Sequence, residues 1–379
     1  MKSLTITALL ISIGALSAQP SAADESRNYI SIVGSTTLQP FAKAVAEQIG
    51  KKHKIKPPMI ESTGTAGGFT LFCEGVGMAY PDIVNASRPM KQKELDACRS
   101  HGVDDVVEIK IGSGAAVLVQ PTSAQVLDVS RKDLFLALAK NVPDPNCKTA
   151  CDRLTPNPYQ TWKQVNPSLP DLSIEIMGPP AGSGTREIIN GTVMEASCDS
   201  YPWIAEKKTR SEAEYKRICH AIREDGAYAE ETSDTILTRI SGRSNAVGIV
   251  TYAAYQSAGK GLKVISVEGV QPLAARLASQ SYPLTKPLLV YVKKAHVHRV
   301  PGLDRYLAEL TNDQAWGNKG YLLKKGLAPM SADERKGYGE IVKSLRPMVD
   351  AGLLLPIGTV FETEPNFVSS PARKKKSQK

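Results

Sequence analysis

Tyr29-Ile30-Ser31-Ile32-Val33-Gly34-Ser35-Thr36-Thr37-Leu38 sets a short apolar run directly against a Gly/Ser/Thr loop. An amphipathic stretch follows to Ile49, with Leu38, Phe41, Ala42, Val45 and Ile49 at helical spacing and Pro40 early, where a helix tolerates it. The expectation is strand, loop, helix. The same phrase recurs twice. Met59-Ile60 leads into Glu61 to Gly68 and then an amphipathic stretch from Phe69 to Glu74. Leu172 to Met177 leads into Gly178 to Thr185 and a stretch from Arg186 to Ala196. Asp82 to Pro89 reads as a buried strand running into a polar turn, and Ala115–Val119, Ala246–Tyr252 and Leu288–Val292 read as further buried strands. Strands alternating with helices indicate an α/β architecture. Residues 141–170, rich in Pro, Asn and Asp, are expected to form an irregular surface excursion.

The whole chain has 379 residues, 42% hydrophobic and 22% charged, which excludes disorder, collagen and a coiled coil. The length favours two lobes over one. The net charge is +9, but Lys2 and the tail residues Arg373, Lys374, Lys375, Lys376 and Lys379 supply six of those charges. A basic run without aromatics reads as a solvated end rather than a nucleic-acid arm. Residues 366–379 are therefore assigned as a flexible tail, and no nucleic-acid partner is expected.

Met1 to Ala23 has the plan of a secretory signal, with Lys2, a short apolar core and Ser21-Ala22-Ala23 before Asp24. The expected product is an exported protein cleaved near Ala23. In an oxidising compartment six cysteines default to disulfides. The sequential pairing Cys73–Cys98, Cys147–Cys151 and Cys198–Cys219 closes three local loops. His296 and His298 stand alone in a strand-like run and are expected at the surface or core edge, so no metal site is assigned.

Three loops with Gly and several hydroxyls, each before a helix, offer backbone N–H groups and neutral donors to a small anion. The Gly-x-x-x-x-Gly-Lys-Ser/Thr and Gly-x-Ser-x-Gly patterns are absent, which disfavours a nucleotide loop and a serine nucleophile elbow. Asp82 has two readings. It accepts a hydrogen bond from a protonated oxyanion, or it caps the strand or pairs with Arg88. Arg88 and Arg186 each suit a bidentate phosphoryl contact, or a solvated surface.

Ile32-Val33-Gly34-Ser35-Thr36-Thr37-Leu38-Gln39-Pro40, Ser62-x-Gly64-Thr65-x-Gly67-Gly68-Phe69, Asp82-Ile83-x-Asn85-Ala86-Ser87-Arg88-Pro89 and Gly182-Ser183-Gly184-Thr185-Arg186 together resemble the periplasmic phosphate-binding proteins of ABC transporters. Tyr282 to Pro287 looks like that family's return crossing between lobes. The resemblance implies a two-lobed type 2 periplasmic-binding-protein fold. Residues 24–112 plus 285–365 would form one lobe and 113–284 the other. It implies phosphate contacts from Thr36, Thr37, Ser62, Thr63, Thr65, Ser183, Gly184 and Thr185, with Asp82 as proton acceptor. Where some members place a ligand arginine, four residues before the third-loop serine, this chain has Pro179, so that role passes to Arg186 or Arg88 or is absent. The expected partners are inorganic phosphate and a membrane permease, the expected state is a monomer, and no cofactor or enzymatic activity is expected. A secreted phosphatase on the same scaffold, or a binder of another oxyanion, is the alternative.

Overall fold

The computed structural model describes residues 27–147, 152–258 and 260–351. The signal segment, Cys151 and the basic tail lie outside the described residues.

Three short strands open the chain: β1 (Ser31–Gly34), β2 (Met59–Glu61) and β3 (Ile83–Ala86). They lie parallel, with Ile32 beside both Ile60 and Ile83. Parallel strands need crossovers, and the helices α1 (Gln39–His53) and α2 (Gly64–Phe72) supply them. The next strand, β4 (Val106–Pro121), is long and buried along its whole length. Strand Thr285–Lys293 inserts between β3 and β4, antiparallel to both. Beyond β4 the sheet continues through Val247–Thr251, Ile176–Gly178 and Tyr228–Glu230. One mixed sheet therefore runs through both halves, and β4 is shared.

The sequence of β4 shows why it tolerates this position. Ala115 to Val119 is continuously apolar, as a strand covered on both faces requires. Its earlier half carries Glu108 and Lys110, which are buried but partnered. Glu108 accepts the Tyr291 hydroxyl at 2.5 Å, and Lys110 donates to Glu334 at 2.9 Å. The ladder between β4 and Thr285–Lys293 slips at Leu288/Leu289, where Leu288 faces Gly112 and Leu289 faces Lys110. Such a bulge bends and twists the pair.

Hydrophobic side chains collect on either side of this bend. Ile32, Phe41, Val45, Ile109, Val290 and Trp316 form one cluster, and Val33, Phe69, Phe72, Val84 and Tyr291 another. Leu118, Phe135, Trp162, Ile188, Tyr215 and Val247 belong to a third. Two disulfides form as expected, Cys73–Cys98 and Cys198–Cys219, with sequence separations of 25 and 21. Loops of that length are stabilised by about 3–4 kcal/mol each in the chain-entropy account. Cys147 is not a free thiol, and its expected partner Cys151 lies outside the described residues.

Several expectations need correction. α2 begins at Gly64, not after the glycines. A Cβ on Gly68 would lie 2.6 Å from the Gly34 Cα, so Gly68 lets a helix touch a strand backbone where a loop was expected. The helix after the third loop begins at Gly184, not Arg186, and runs into a π turn at Asn190–Met194. The strand expected at 172–177 is only Ile176–Gly178, because Leu172 turns to pair with Trp162. Residues 141–170 are partly regular, with a ladder of Asn141–Pro143 on Leu154–Pro156 and a short capped helix Trp162–Val165. His296, expected near the surface, is fully buried.

Gly34 has φ +118°, and a Cβ there would lie 2.2 Å from the Asn85 carbonyl oxygen. Gly34→Ala is expected to lower the unfolding free energy by about 2 kcal/mol or more. Gly50→Ala, in α1 with open space around it, should raise it by about 0.5–1 kcal/mol. Urea unfolding of the two variants measures both effects.

Candidate functional site

In a sheet with parallel β1 and β3, ligand-binding loops gather beyond the carboxyl ends of the strands. The Gly34–Thr37 loop leaves β1 at that end, and Ser87 leaves β3 there. Asn85 holds the first loop by accepting the Ser35 amide at 2.8 Å. Thr36–Leu38 makes a 3-10 turn before α1, and Thr37 is buried. Among the described residues, the Thr37 hydroxyl has no hydrogen-bond partner.

The second loop joins the same end. Ser62 and Thr63 are exposed, and Thr63 precedes α2 without capping it by its side chain. Thr65 Oγ1 lies 3.3 Å from Ser87 Oγ and accepts the Ser87 amide at 3.2 Å. Ser87 was quoted in a motif but given no role. Its direct tie to Thr65 is what draws the turn after β3 to the second loop.

The third loop comes from the other side of β4. Ser183 caps its helix, accepting the Arg186 amide at 3.2 Å, and Thr185 is buried behind it. A Cβ on Gly184 would stand 3.3 Å from the Thr37 Cα, so the first and third loops touch. A side chain at Gly184 would push them apart. The buried, unpartnered Thr37 hydroxyl thus lies at the junction of two Gly/Ser/Thr loops.

Both candidate arginines are oriented by carboxylates that the sequence did not disclose. Arg88 makes a two-pronged pair with Glu94, at 2.6 and 2.8 Å, and lies over the Phe69 ring. Burial pushes Glu94 up, but the Arg88 guanidinium and the Lys91 amide more than offset it and hold the carboxyl below its ordinary range. Arg186 is buried against Glu230, the Tyr228 hydroxyl at 2.9 Å and the Pro179 carbonyl at 3.1 Å. The residue where an arginine was expected thus supplies a carbonyl acceptor to Arg186. Burial pushes the Tyr228 hydroxyl up to about 12, so it remains a proton donor at neutral pH.

Asp82 is placed differently from the expected proton acceptor. It precedes β3, whereas Ser87 follows it. The four residues of β3 lie between them, and five steps of extended chain span about 16 Å. Its carboxylate is fully buried at the amino end of the sheet. One oxygen accepts the Ser31 amide at 2.7 Å, and the other meets His296 Nδ1 at 2.6 Å and Arg27 Nη2. The pairing with Arg88 does not occur either, since Arg88 belongs to Glu94. Asp82 is a structural anchor. Sequence order held the clue, because parallel strands send only their carboxyl ends to the loops.

A family model for the PBP superfamily domain matches residues 19–314. Protein SphX of Synechococcus elongatus is 26% identical over 286 residues, which is 73% of this chain and 72% of that one. Phosphate-binding protein PstS of Staphylococcus epidermidis is 22% identical over 330 residues, 84% of this chain and 82% of that one. Among solved structures, a possible phosphate binding protein from Planctomyces limnophilus superposes with a TM-score of 0.65 at 20% identity, covering 84% of this chain and 98% of that one. An ABC-type phosphate transport receptor from Vibrio cholerae gives 0.53 at 18% identity, covering 80% and 100%. These two share the fold.

Asp82→Asn removes the counter-charge of buried Arg27 while leaving it in place. The expected cost is about 3–5 kcal/mol of unfolding free energy, the range for a broken buried pair. Chemical denaturation measures it, and a loss under about 1 kcal/mol, the range of an exposed pair, contradicts the anchor role.

Proposed function

The chain belongs to the PBP superfamily, and on that footing we propose that it is an extracytoplasmic solute-binding protein that captures inorganic phosphate and delivers it to an ABC permease. The observation that carries the reading is the Thr37 hydroxyl, buried without a partner where Gly184 of the third loop comes against it. Burying such a hydroxyl costs free energy unless something bonds it. An oxyanion between the loops would accept that proton, together with those of the Thr65, Ser87 and Thr36 hydroxyls and of loop amides. The relatives named as phosphate-binding proteins support the choice of anion.

We assign residues 24–112 with 285–365 to one lobe and 113–284 to the other. The segregation of the hydrophobic clusters supports this boundary, as does the bulge opposite Gly112. The chain crosses between the lobes within β4 and returns at the start of strand Thr285–Lys293, and these two adjacent crossings form the natural hinge. Release to a permease requires the lobes to part. No helix among the described residues is long and apolar enough to cross a membrane. The protein acts as an exported monomer, cleaved near Ala23.

Binding is favoured over catalysis because the Ser183 hydroxyl oxygen accepts the Arg186 amide and, among the described residues, is hydrogen-bonded to no His or carboxylate that could act as its base. The arginines contribute as pre-oriented cations, each balanced by its carboxylate. Asp82 cannot provide selectivity against sulfate from the opposite end of the sheet.

Calorimetric titration of phosphate into ligand-stripped protein tests the reading. One-to-one binding is expected, weakened about tenfold or more by Thr37→Val and largely retained by Thr37→Ser. Asp82→Asn should leave the ratio of phosphate to sulfate affinity unchanged wherever the variant remains folded. Absence of phosphate binding by the wild type overturns the function, and a changed ratio overturns the separation of Asp82 from the ligand.

A further inference from the structure

Lys286 lies where the chain re-enters the large sheet, opposite Gly114 of β4. Its side chain passes beneath the third-loop helix, and Nζ donates to the Glu187 carbonyl at 3.4 Å. Gly191 sits beside it in the π turn Asn190–Met194. A methyl on Gly191 would fall 1.8 Å from Lys286 Nζ and 2.5 Å from Cε. The missing side chain makes a berth for the ammonium in that turn. π turns recur at functional positions.

Among the described residues, Lys286 forms no ion pair. Four charged groups act on it through space. Glu195 and Glu187 attract it, while Arg88 and Lys216 repel it. Burial pushes the amine below its ordinary value, with the repulsion by Arg88 and Lys216 adding to that. Lys286 is partly buried, and a cation drawn out of water without a close counter-ion costs stability. Arg88 lies near enough to repel Lys286, and both arginines of the site already have carboxylates. Among the described residues, Lys286 is the site cation that lacks a carboxylate of its own.

We propose that Lys286 is a specificity-determining residue, whose ammonium, berthed at Gly191 behind the third loop, favours a doubly charged oxyanion over a singly charged one. It acts through space and through the helix that carries Ser183 and Gly184. This rests on the oxyanion reading above. A dianion between the loops supplies the missing negative charge, so binding stabilises the protonated amine. A monoanion supplies half of it.

The test is phosphate titration of wild type, Lys286→Met, Lys286→Arg and Gly191→Ala at about pH 6 and about pH 8, bracketing the second phosphate ionisation. Lys286→Met is expected to bind about tenfold or more weakly at the higher pH, with the loss shrinking at the lower. Lys286→Arg should retain most of the affinity. Gly191→Ala, which evicts the amine but keeps the charge, should lose affinity in the same pH-dependent way. Urea unfolding of Lys286→Met should show equal or greater stability, because an uncompensated buried charge is gone. Binding by Lys286→Met within about twofold of wild type at both pH values overturns the proposal. So does an equal, pH-independent loss in the Met and Arg variants, which would mark packing alone. If Lys286→Met does not fold, the pH-dependent comparison of Gly191→Ala with wild type decides. Failure of wild type to bind phosphate is a different result, and it sinks the oxyanion reading instead.

Discussion

Everything in this molecule is positioned by the pairing of β4 with strand Thr285–Lys293. β4 is buried from end to end, so each of its backbone N–H and C=O groups needs a partner inside the protein. Thr285–Lys293 satisfies one part, and Val247–Thr251, Leu262–Val264 and Leu327–Ala328 satisfy others. The bulge beside Gly112 then turns one half of the sheet relative to the other. That turn brings Gly184, reached from the far half, against Thr37, reached from the near half. Without the shared strand there is no reason for these loops to meet.

The electrostatics of the meeting point follow a consistent plan. Hydroxyls and amides face the junction, and the strong cations are held back by partners. Glu94 fixes Arg88, and Glu230 fixes Arg186. A pre-paired guanidinium keeps its direction and loses little side-chain freedom when a ligand arrives. It also attracts less strongly than a bare one. Lys286 differs in being partly buried without a close carboxylate, which makes its charge responsive to whatever binds beside it. At the other end of the sheet, the same logic serves stability alone. Asp82 gathers Arg27, His296 and the Ser31 amide into one buried knot.

Much of the architecture was legible. Tyr29 to Ile49 encodes strand, turn and helix through its apolar spacing, and the structure has all three within a few residues. Both described disulfides close the short loops that sequence proximity favoured. The hydroxyls of Thr36, Thr37, Thr65, Ser183 and Thr185 could be picked out because Gly/Ser/Thr loops before helices are chemically conspicuous. Long-range partners were not. Nothing near Arg186 in the sequence announces Glu230, and nothing near Asp82 announces Arg27 or His296, since these pairings exist only after the sheet forms. The glycines of Gly64 to Gly68 misled for another reason. Composition says loop, but all three lie within a helix, and Gly68 serves its contact with the backbone of β1, which composition cannot distinguish. Asp82 was misread because residue type outweighed position along a parallel strand.

The order of strands carries a consequence for how the chain is made. β3 and β4 are near neighbours in sequence, yet the strand that separates them in the sheet comes from residues 285–293. Contacts of such sequence separation slow folding, because a long loop must close before they form. Until that late segment arrives, the edges of β3 and β4 have no lasting partner, and the first half of the protein cannot complete its own sheet. On the export proposed above, such a delay keeps the leading part threadable. The latch on the native state is then one of the last pieces to emerge.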